Sequence, residues 1–456
     1  MKNCYDRDMR RKSHLGKHCG KMGRGYIVDD TVEVYLSKLC EQQSDNVTGL
    51  VIGQSSTQRD IVVMVCRTPP RDEPLVGTGK CLDKEWISEH ARQVSRMLPG
   101  GLFVLGVFVI IDADNKDTLA SLRQLAFAVQ CLIVSERLWN SEDDEVIDWL
   151  TLHINPKSRK LSCRTFNIKD PKSLAKPADW KYQSGVCSSW STITCSLNVD
   201  LLVALRDNRA CSKTMENCLK EGLKVWARQI ENAVCLIEGI PLPDDAELTA
   251  GQKRNMRQML TAQLLVAPEQ QHRLRDVVQQ CGGSLSVRGS IHSRAYLHNN
   301  KPKAKLAERL LKRDVISTMV TRVQMLLDEF LPVENEGKGV RKKKQGTEQF
   351  CLPHRVFCPA KVSGTLCVCD HQFNDEDPSE VIDRLKEMLD IDTEDQDLDT
   401  KQEIVAEIIG SGQPPEATAE NVEEQKPKRS NYIGVAMGTA AALLATAVSM
   451  FYLNDI

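Results

Sequence analysis

Cys351, His354, Cys358, Cys367, Cys369 and His371 bring six nitrogen and sulfur donors into one short stretch. Four such donors can form a tetrahedral structural zinc site. Cys367, Cys369 and His371 alternate, which puts all three on one face of a strand. No Cys-x-x-Cys occurs there, so the spacing favours a plainer reading: a pair of thiol-rich strands in which cysteine packs as a small hydrophobe. A second donor group, Cys4, His14, His18 and Cys19, fits no zinc spacing. Nucleophilic chemistry would need an activated thiolate beside a positioned base. Cys187 precedes Ser188 and Ser189 in a Gly-containing loop, with His153 and Asp179 within reach along the chain. With 17 cysteines and 9 histidines, such trios arise by chance. The expectation is therefore no catalytic, cofactor-binding or metal-binding residue, and no cofactor.

Two further patterns concern contact rather than chemistry. Trp180, Tyr182 and Trp190 gather around Lys181 and Gly185 in a loop-like segment. Such rings either anchor a protein partner or pin the loop to the core. Asn431 to Leu453 carries no charged residue, and Lys426, Lys428 and Arg429 stand just before it. That run is long enough to span a bilayer, with the basic side in the cytosol. With so little chain after it, the run is expected to be a membrane anchor rather than a core helix: single-pass and tail-anchored, with a cytosolic body. Gly434 and Gly438 form a Gly-x-x-x-Gly within it, continued by Ala442, a row that can pack against another transmembrane helix.

The rest of the chain must position these groups. Its 456 residues, 41% of them hydrophobic, suffice for two or three domains with real cores. A net charge of −2 argues against nucleic acid as a partner. An odd number of irregularly spaced cysteines in a cytosolic body predicts free thiols. Hydrophobic spacing predicts helices over Thr31–Cys40, Asp83–Leu98, with Asp83 as N-cap, and Thr118–Val134. It predicts strands over Val47–Gly53, Ile61–Cys66 and Leu102–Ile111, the last buried on both faces. Further strands are predicted over Thr151–Ile154, Leu161–Ile168, Ser191–Leu202 and Ser284–His298. Further helices are predicted over Met215–Val234, Lys303–Phe330 and Ser379–Leu389. The resulting fold class is α/β: a mixed sheet with flanking helices, a second α+β unit and a C-terminal transmembrane helix. The expected organisation is a disordered basic extension (1–21), a first domain (22–238), a linker (239–272), an α+β unit (273–389), an acidic tether (390–430) and the anchor (431–453).

Gly49-Leu50-Val51-Ile52-Gly53, the strand at Ile61–Cys66 and Leu102–Ile111 with its internal Gly106 resemble the MPN (JAB1/MPN/Mov34) domain. Active members are zinc isopeptidases. They carry a Glu three residues before the first glycine and a His-x-His after the later one. Here those places hold Asn46, Val109 and Ile111, and no His occurs in Leu102–Leu152. The resemblance thus implies an inactive MPN-like domain, because none of these side chains can ligate zinc or act as general base.

Longer strings resemble one family. They are Met22–Val28 (MGRGYIV), Arg67-Thr68-Pro69-Pro70, Gln93–Gly106 (QVSRMLPGGLFVLG), Pro177–Gly185 (PADWKYQSG) and Arg294–Lys303 (RAYLHNNKPK). With the C-terminal run, they are similar to the vertebrate odorant-response-abnormal protein four homologues. Met1–Lys21 precedes the usual start of that family. The resemblance implies a role in maturation or trafficking of multi-span receptors such as odorant receptors. It also implies recruitment of the ubiquitin-fold-modifier-specific peptidase to the endoplasmic reticulum membrane. It implies no enzymatic activity and carries no catalytic residue. The competing class is a degenerate isopeptidase or a cysteine hydrolase of ubiquitin-like modifiers.

Overall fold

Gly25–Asp29 (β1) runs straight into the helix Asp30–Glu41 (α1), because Asp29 keeps strand geometry and its carboxylate accepts the Thr31 N–H as an N-cap. The computed structural model that shows this describes residues 24–403 apart from 43–45, 57–58, 72–81, 113–115, 140–147, 171, 206–211, 250–257, 267–282, 299–300, 331–349 and 363. The expected basic extension and transmembrane anchor lie outside the described residues.

Val47–Gln54 (β2) and Arg59–Arg67 (β3) form the antiparallel hairpin that their β-branched runs predict. Lys84–Arg96 (α2) starts at Asp83, whose side chain accepts the Trp86 N–H. Phe103–Ile110 (β4) then pairs antiparallel with β2 and parallel with Asp148–Ile154 (β5). It is buried on both faces, as its unbroken apolar run requires. Between them lies Lys116–Ser135 (α3). Its Thr118–Ser135 stretch is long and apolar enough to cross a membrane. Yet Leu122, Leu125, Ala126, Val129 and Ile133 are buried in the protein's own core, together with residues of α2 and β4.

Leu161–Asn167 (β6), Lys176–Pro177 (β7) and Asp179–Gln183 (β8) complete an eight-stranded sheet of order β7-β6-β5-β4-β2-β3-β1-β8. Its two end strands are a single segment: β7 pairs with β6, and β8, just after it, pairs with β1. Lys176–Gln183 therefore joins the two edges and closes the sheet on itself. The enclosed core holds Tyr26, Val51, Val65, Phe108 and Leu150, with Leu36 of α1 inserted among them.

The second sheet is built from Ser191–Leu205 (β9), Val234–Ile237 (β10), Ile240–Pro241 (β11), Met259–Leu265 (β12), Gly283–Leu297 (β13) and Phe350–Cys351 (β14), in the order β11-β10-β12-β9-β13-β14. β9 and β13 pair antiparallel along their whole lengths. Ser212–Glu231 (α4) and Ala304–Phe330 (α5) bury Leu223, Ala227, Val315 and Met319 against them. A hairpin, His354–Pro359 (β15) with Cys367–Gln372 (β16), and the helix Pro378–Leu389 (α6) follow.

Three boundaries differ from expectation. The sheets divide between Gln183 and Ser191 rather than near 238. The stretch expected to be a linker contributes β11 and β12, whose short alternating strands are too polar to stand out from a loop. Val356, Cys358 and Val368 of the hairpin and Leu385 of α6 join the core beside α2 and α3, so this C-terminal portion covers the first sheet instead of forming a separate unit with β13. Residues expected to open the acidic tether are also ordered, because Asp390 accepts the Tyr35 hydroxyl and Glu403 is buried.

Candidate functional site

Metal chemistry in an MPN-like sheet would sit at the end of β4. Val109 is fully buried in the core that also contains α2 and α3 residues, and Ile111 donates its N–H to the Ile154 carbonyl. The imidazole in register with Val109 is His153, and its Nε2 pairs with the Ile111 carbonyl at 3.2 Å. Asp112 accepts from Asn155 and Lys157 beside it. A lone imidazole engaged with backbone is not a zinc cradle. Among the described residues no group of three His, Cys, Asp or Glu side chains converges. Cys187 accordingly does not form a triad with His153 and Asp179; it is buried in the core with Trp190 and Leu366.

Cys369 and His371 do lie on one strand face, opposite Phe357 and Arg355 of β15. Cys358 points to the other face and packs with Val356 and Val368, as the plainer reading had it. Burial and four guanidiniums act on the first face. Burial and the Arg322, Arg355, Arg384 and Arg96 guanidiniums hold the His371 pKa well below its usual range. Burial pushes the Cys369 thiol up to about 11, away from the thiolate a metal needs. The side chains of Cys351 and the Cys4–Cys19 group lie outside the described residues.

The aromatic segment pins rather than projects. Trp180 stacks at 6.2 Å from both Tyr26 and Tyr182 against the closed core, and Trp190 is buried.

The structure instead gathers charge along the helix that the sequence reading took as long and amphipathic. Asp314, Thr318 and Arg322 recur every fourth residue of α5, so they form one stripe, and all three are buried. Asp314 receives both terminal nitrogens of Arg355 at 2.8 and 2.9 Å, the Ser293 hydroxyl at 2.8 Å and the Arg294 N–H at 3.1 Å. Glu403 accepts from Arg322, from the His292 N–H at 2.7 Å and from the Arg355 N–H at 2.6 Å. The two carboxylates thereby satisfy the free edge of β13 at His292 and Arg294, where no strand pairs. This polar stripe, spaced every fourth residue among the helix's apolar positions, is the signal that could have found the cluster.

Beyond Arg294 the same edge meets the first sheet. Gly100 donates to the Arg294 carbonyl and accepts the Tyr296 N–H. Gln54, buried at the end of β2, donates to the Gly101 and Tyr296 carbonyls and accepts the His298 N–H. Gly101 has φ +85°, and a Cβ there would stand 2.2 Å from the Tyr296 oxygen, so only glycine fits.

The ODR4-like family pattern (odorant response abnormal 4-like) matches residues 49–400. The chain belongs to this family. It is similar to the protein odr-4 homolog of Homo sapiens, at 39% identity over 95% of this chain and 100% of that one. The Xenopus tropicalis homolog is 38% identical over the same shares. A crystal structure of UfSP from C.elegans aligns with a TM-score of 0.38 at 10% identity, covering 81% of this chain and 57% of that one. That score is too low for an argument to rest on it.

The strings that carry the family resemblance meet in pairs. The one containing Gly25–Val28 lies in parallel register beside the one containing Asp179–Tyr182, closing the first sheet. The one ending in Gly106 crosses the one beginning at Arg294, through Gly100. Pro69 accepts the indole N–H of Trp86 on α2. In this ODR4-like chain the matched residues therefore hold the architecture together. Beside the Gly100 crossing lies a cleft of about 90 Å³, lined by Arg96, Phe103, Glu136, Trp139 and Arg313. It is well below the roughly 300 Å³ from which small-molecule sites begin. The arrangement can present surfaces.

Proposed function

We propose that this ODR4-like chain is a non-enzymatic adaptor, anchored in the endoplasmic reticulum membrane through 431–453 with its body in the cytosol. It recruits the ubiquitin-fold-modifier-specific peptidase and supports maturation or trafficking of multi-span receptors, odorant receptors among them. Family membership supports the trafficking part of the reading. One observation carries the non-enzymatic part: the places that hold the general base and two zinc ligands in an active MPN domain carry Asn46, Val109 and Ile111, with Val109 sealed in the core. Holding a binding body at a membrane raises the local concentration of its partners without new contacts.

The test is affinity purification of the full chain and of a chain lacking Asn431–Ile456, with partners identified by mass spectrometry. Recovery of the peptidase by both forms, with endoplasmic reticulum location only for the full chain, is the expected result. Failure of both to recover it removes the adaptor reading. Replacing Gly434 and Gly438 by Ile should leave recovery intact; loss of receptor association in that variant would move client binding to the transmembrane helix. Labelling by a thiol-reactive ubiquitin-like probe, abolished by one Cys→Ala change, would favour a cysteine hydrolase instead.

A further inference from the structure

The connection from β6 to β7 is a loop tied to itself. The Asn167 side chain accepts the Lys169 N–H at 2.9 Å, and its carbonyl accepts the Ser173 hydroxyl at 3.2 Å. The Asp170 carboxylate accepts the Lys172 N–H at 2.9 Å, and the Asp170 carbonyl accepts the Ser173 N–H at 2.9 Å. These bonds hold the loop's turns locally, while Ile168 packs against the core. They leave Leu174 at 83% exposure, the highest value among the exposed large hydrophobic side chains of the described residues. A leucine turned into water by a well-bonded loop gains nothing for folding.

Its neighbours are cations. Residues 164–176 hold Arg164, Lys169, Lys172 and Lys176 against the single carboxylate of Asp170, in a chain whose net charge is −2. Lys172 and Lys176 flank Leu174 on either side along the chain, and Arg164 stands opposite Pro177 on the adjoining strand. All of these cations are exposed. At the far end of β6 the cations behave differently: Lys157 pairs with Asp112, and Arg159 with Glu41 at 3.4 Å. Arg164, Lys172 and Lys176 form no ion pair with a described residue.

We propose that this β6–β7 loop is a peripheral contact for an anionic lipid surface, with Leu174 entering the headgroup region and Arg164, Lys172 and Lys176 meeting lipid phosphates and carboxylates. A protruding apolar tip ringed by cations matches a flat, fluid, negatively charged partner. Single-stranded nucleic acid would call for exposed rings on which bases stack, and the nearest rings, Trp180 and Tyr182, face the protein's own core. A folded protein partner would call for a groove or flat patch, and a single projecting side chain offers neither. The proposal rests on the membrane-anchored part of the proposed function but not on its partners: it concerns how the body meets a bilayer, whichever partners it recruits. The 404–430 stretch is long enough to let the loop reach a membrane in which 431–453 is seated.

The full chain is reconstituted in phosphatidylcholine vesicles, with and without phosphatidylserine. Its lysines are acetylated with an amine-reactive ester and read residue by residue by mass spectrometry. Lys172 and Lys176 are expected to react about fivefold more slowly or less in the anionic vesicles, the factor that a lysine gains at such a surface. Exposed Lys224 on α4 serves as the unaffected reference. Leu174→Asp should return Lys172 and Lys176 to their rate in neutral vesicles, and as an exposed loop change it leaves the fold intact. Equal reactivity in both vesicle types overturns the proposal. So does protection that survives Leu174→Asp. Equal protection by heparin in neutral vesicles likewise overturns it, by showing a general polyanion site. Partner recovery by affinity purification is read separately, so failure of one leaves the other standing.

Discussion

Asp314 and Arg355 offer a sharp test of how the β13 edge is held. Both side chains are 2% exposed, and they share two hydrogen bonds below 3 Å. Removing one member of such a pair strands a charge in the interior, at a cost of about 3–5 kcal/mol. Asp314→Leu should lie at the upper end of that range, because the Ser293 hydroxyl and the Arg294 N–H lose their acceptor as well. Arg355→Met should cost about 3 kcal/mol, since Asp314 keeps those two donors. The double variant removes both charges and should cost about 2 kcal/mol, the share of the two abandoned donors. The coupling energy is then about 6 kcal/mol, far from additive. A chain of two interlocked sheets need not unfold in one step, so amide exchange of Arg294 is the better assay. A 4 kcal/mol loss corresponds to roughly a thousandfold faster exchange at that amide. Additive single effects, or an acceleration below about tenfold in Asp314→Leu, would refute the view that this pair seals the edge.

Three other outcomes follow from the same structure. His90 is buried, its Nε2 meets the Met388 carbonyl, and burial holds its pKa down to about 4 instead of 6.5. The unfolded chain therefore takes the proton first, so stability is complete above about pH 6.5 and falls as pH drops toward 4, by about 3 kcal/mol from this group. His90→Gln should remove that share of the slope in denaturation midpoints measured across this window. Gly101→Ala should prevent stable folding or cost more than about 3 kcal/mol, because positive φ and a backbone clash combine. Gly239→Ala, at φ +76° but with open space around it, should cost only about 1 kcal/mol, both glycine variants being compared with the parent chain by thermal denaturation. In native-state thiol titration Cys131, which is exposed, should react at once. Cys66, buried with its thiol pushed up to about 12, should react only on unfolding.

Elements with one strong periodic signal were legible. The β2–β3 hairpin, the Asp83-capped α2, the doubly buried β4 and the long α5 stand within a few residues of where spacing puts them. The closure of the first sheet was not legible. Asp179–Gln183 alternates polar and aromatic residues like a surface loop, and its partner β1 is distant along the chain. Nor did composition reveal that the hairpin and α6 serve the first sheet, since apolar strands do not name the face they cover. The β6–β7 tip was passed over because isolated lysines in a connection are ordinary until their ion-pair partners can be checked.

The closed first sheet also has a history in time. β1 is made early, yet one of its two neighbours, β8, pairs Gly25 with Asp179, and the Gly100 crossing waits for Ala295. The carboxylate that satisfies Arg322 comes from Glu403. During synthesis the early strands must therefore persist with open edges, the condition under which nascent chains pair wrongly or engage chaperones. Such distant pairings fold slowly, on millisecond to second scales, because loop closure precedes any reward. Removing Glu403 would leave the buried Arg322 guanidinium with the Ser290 carbonyl but without its carboxylate. The carboxylate at this buried centre is thus supplied by one late glutamate.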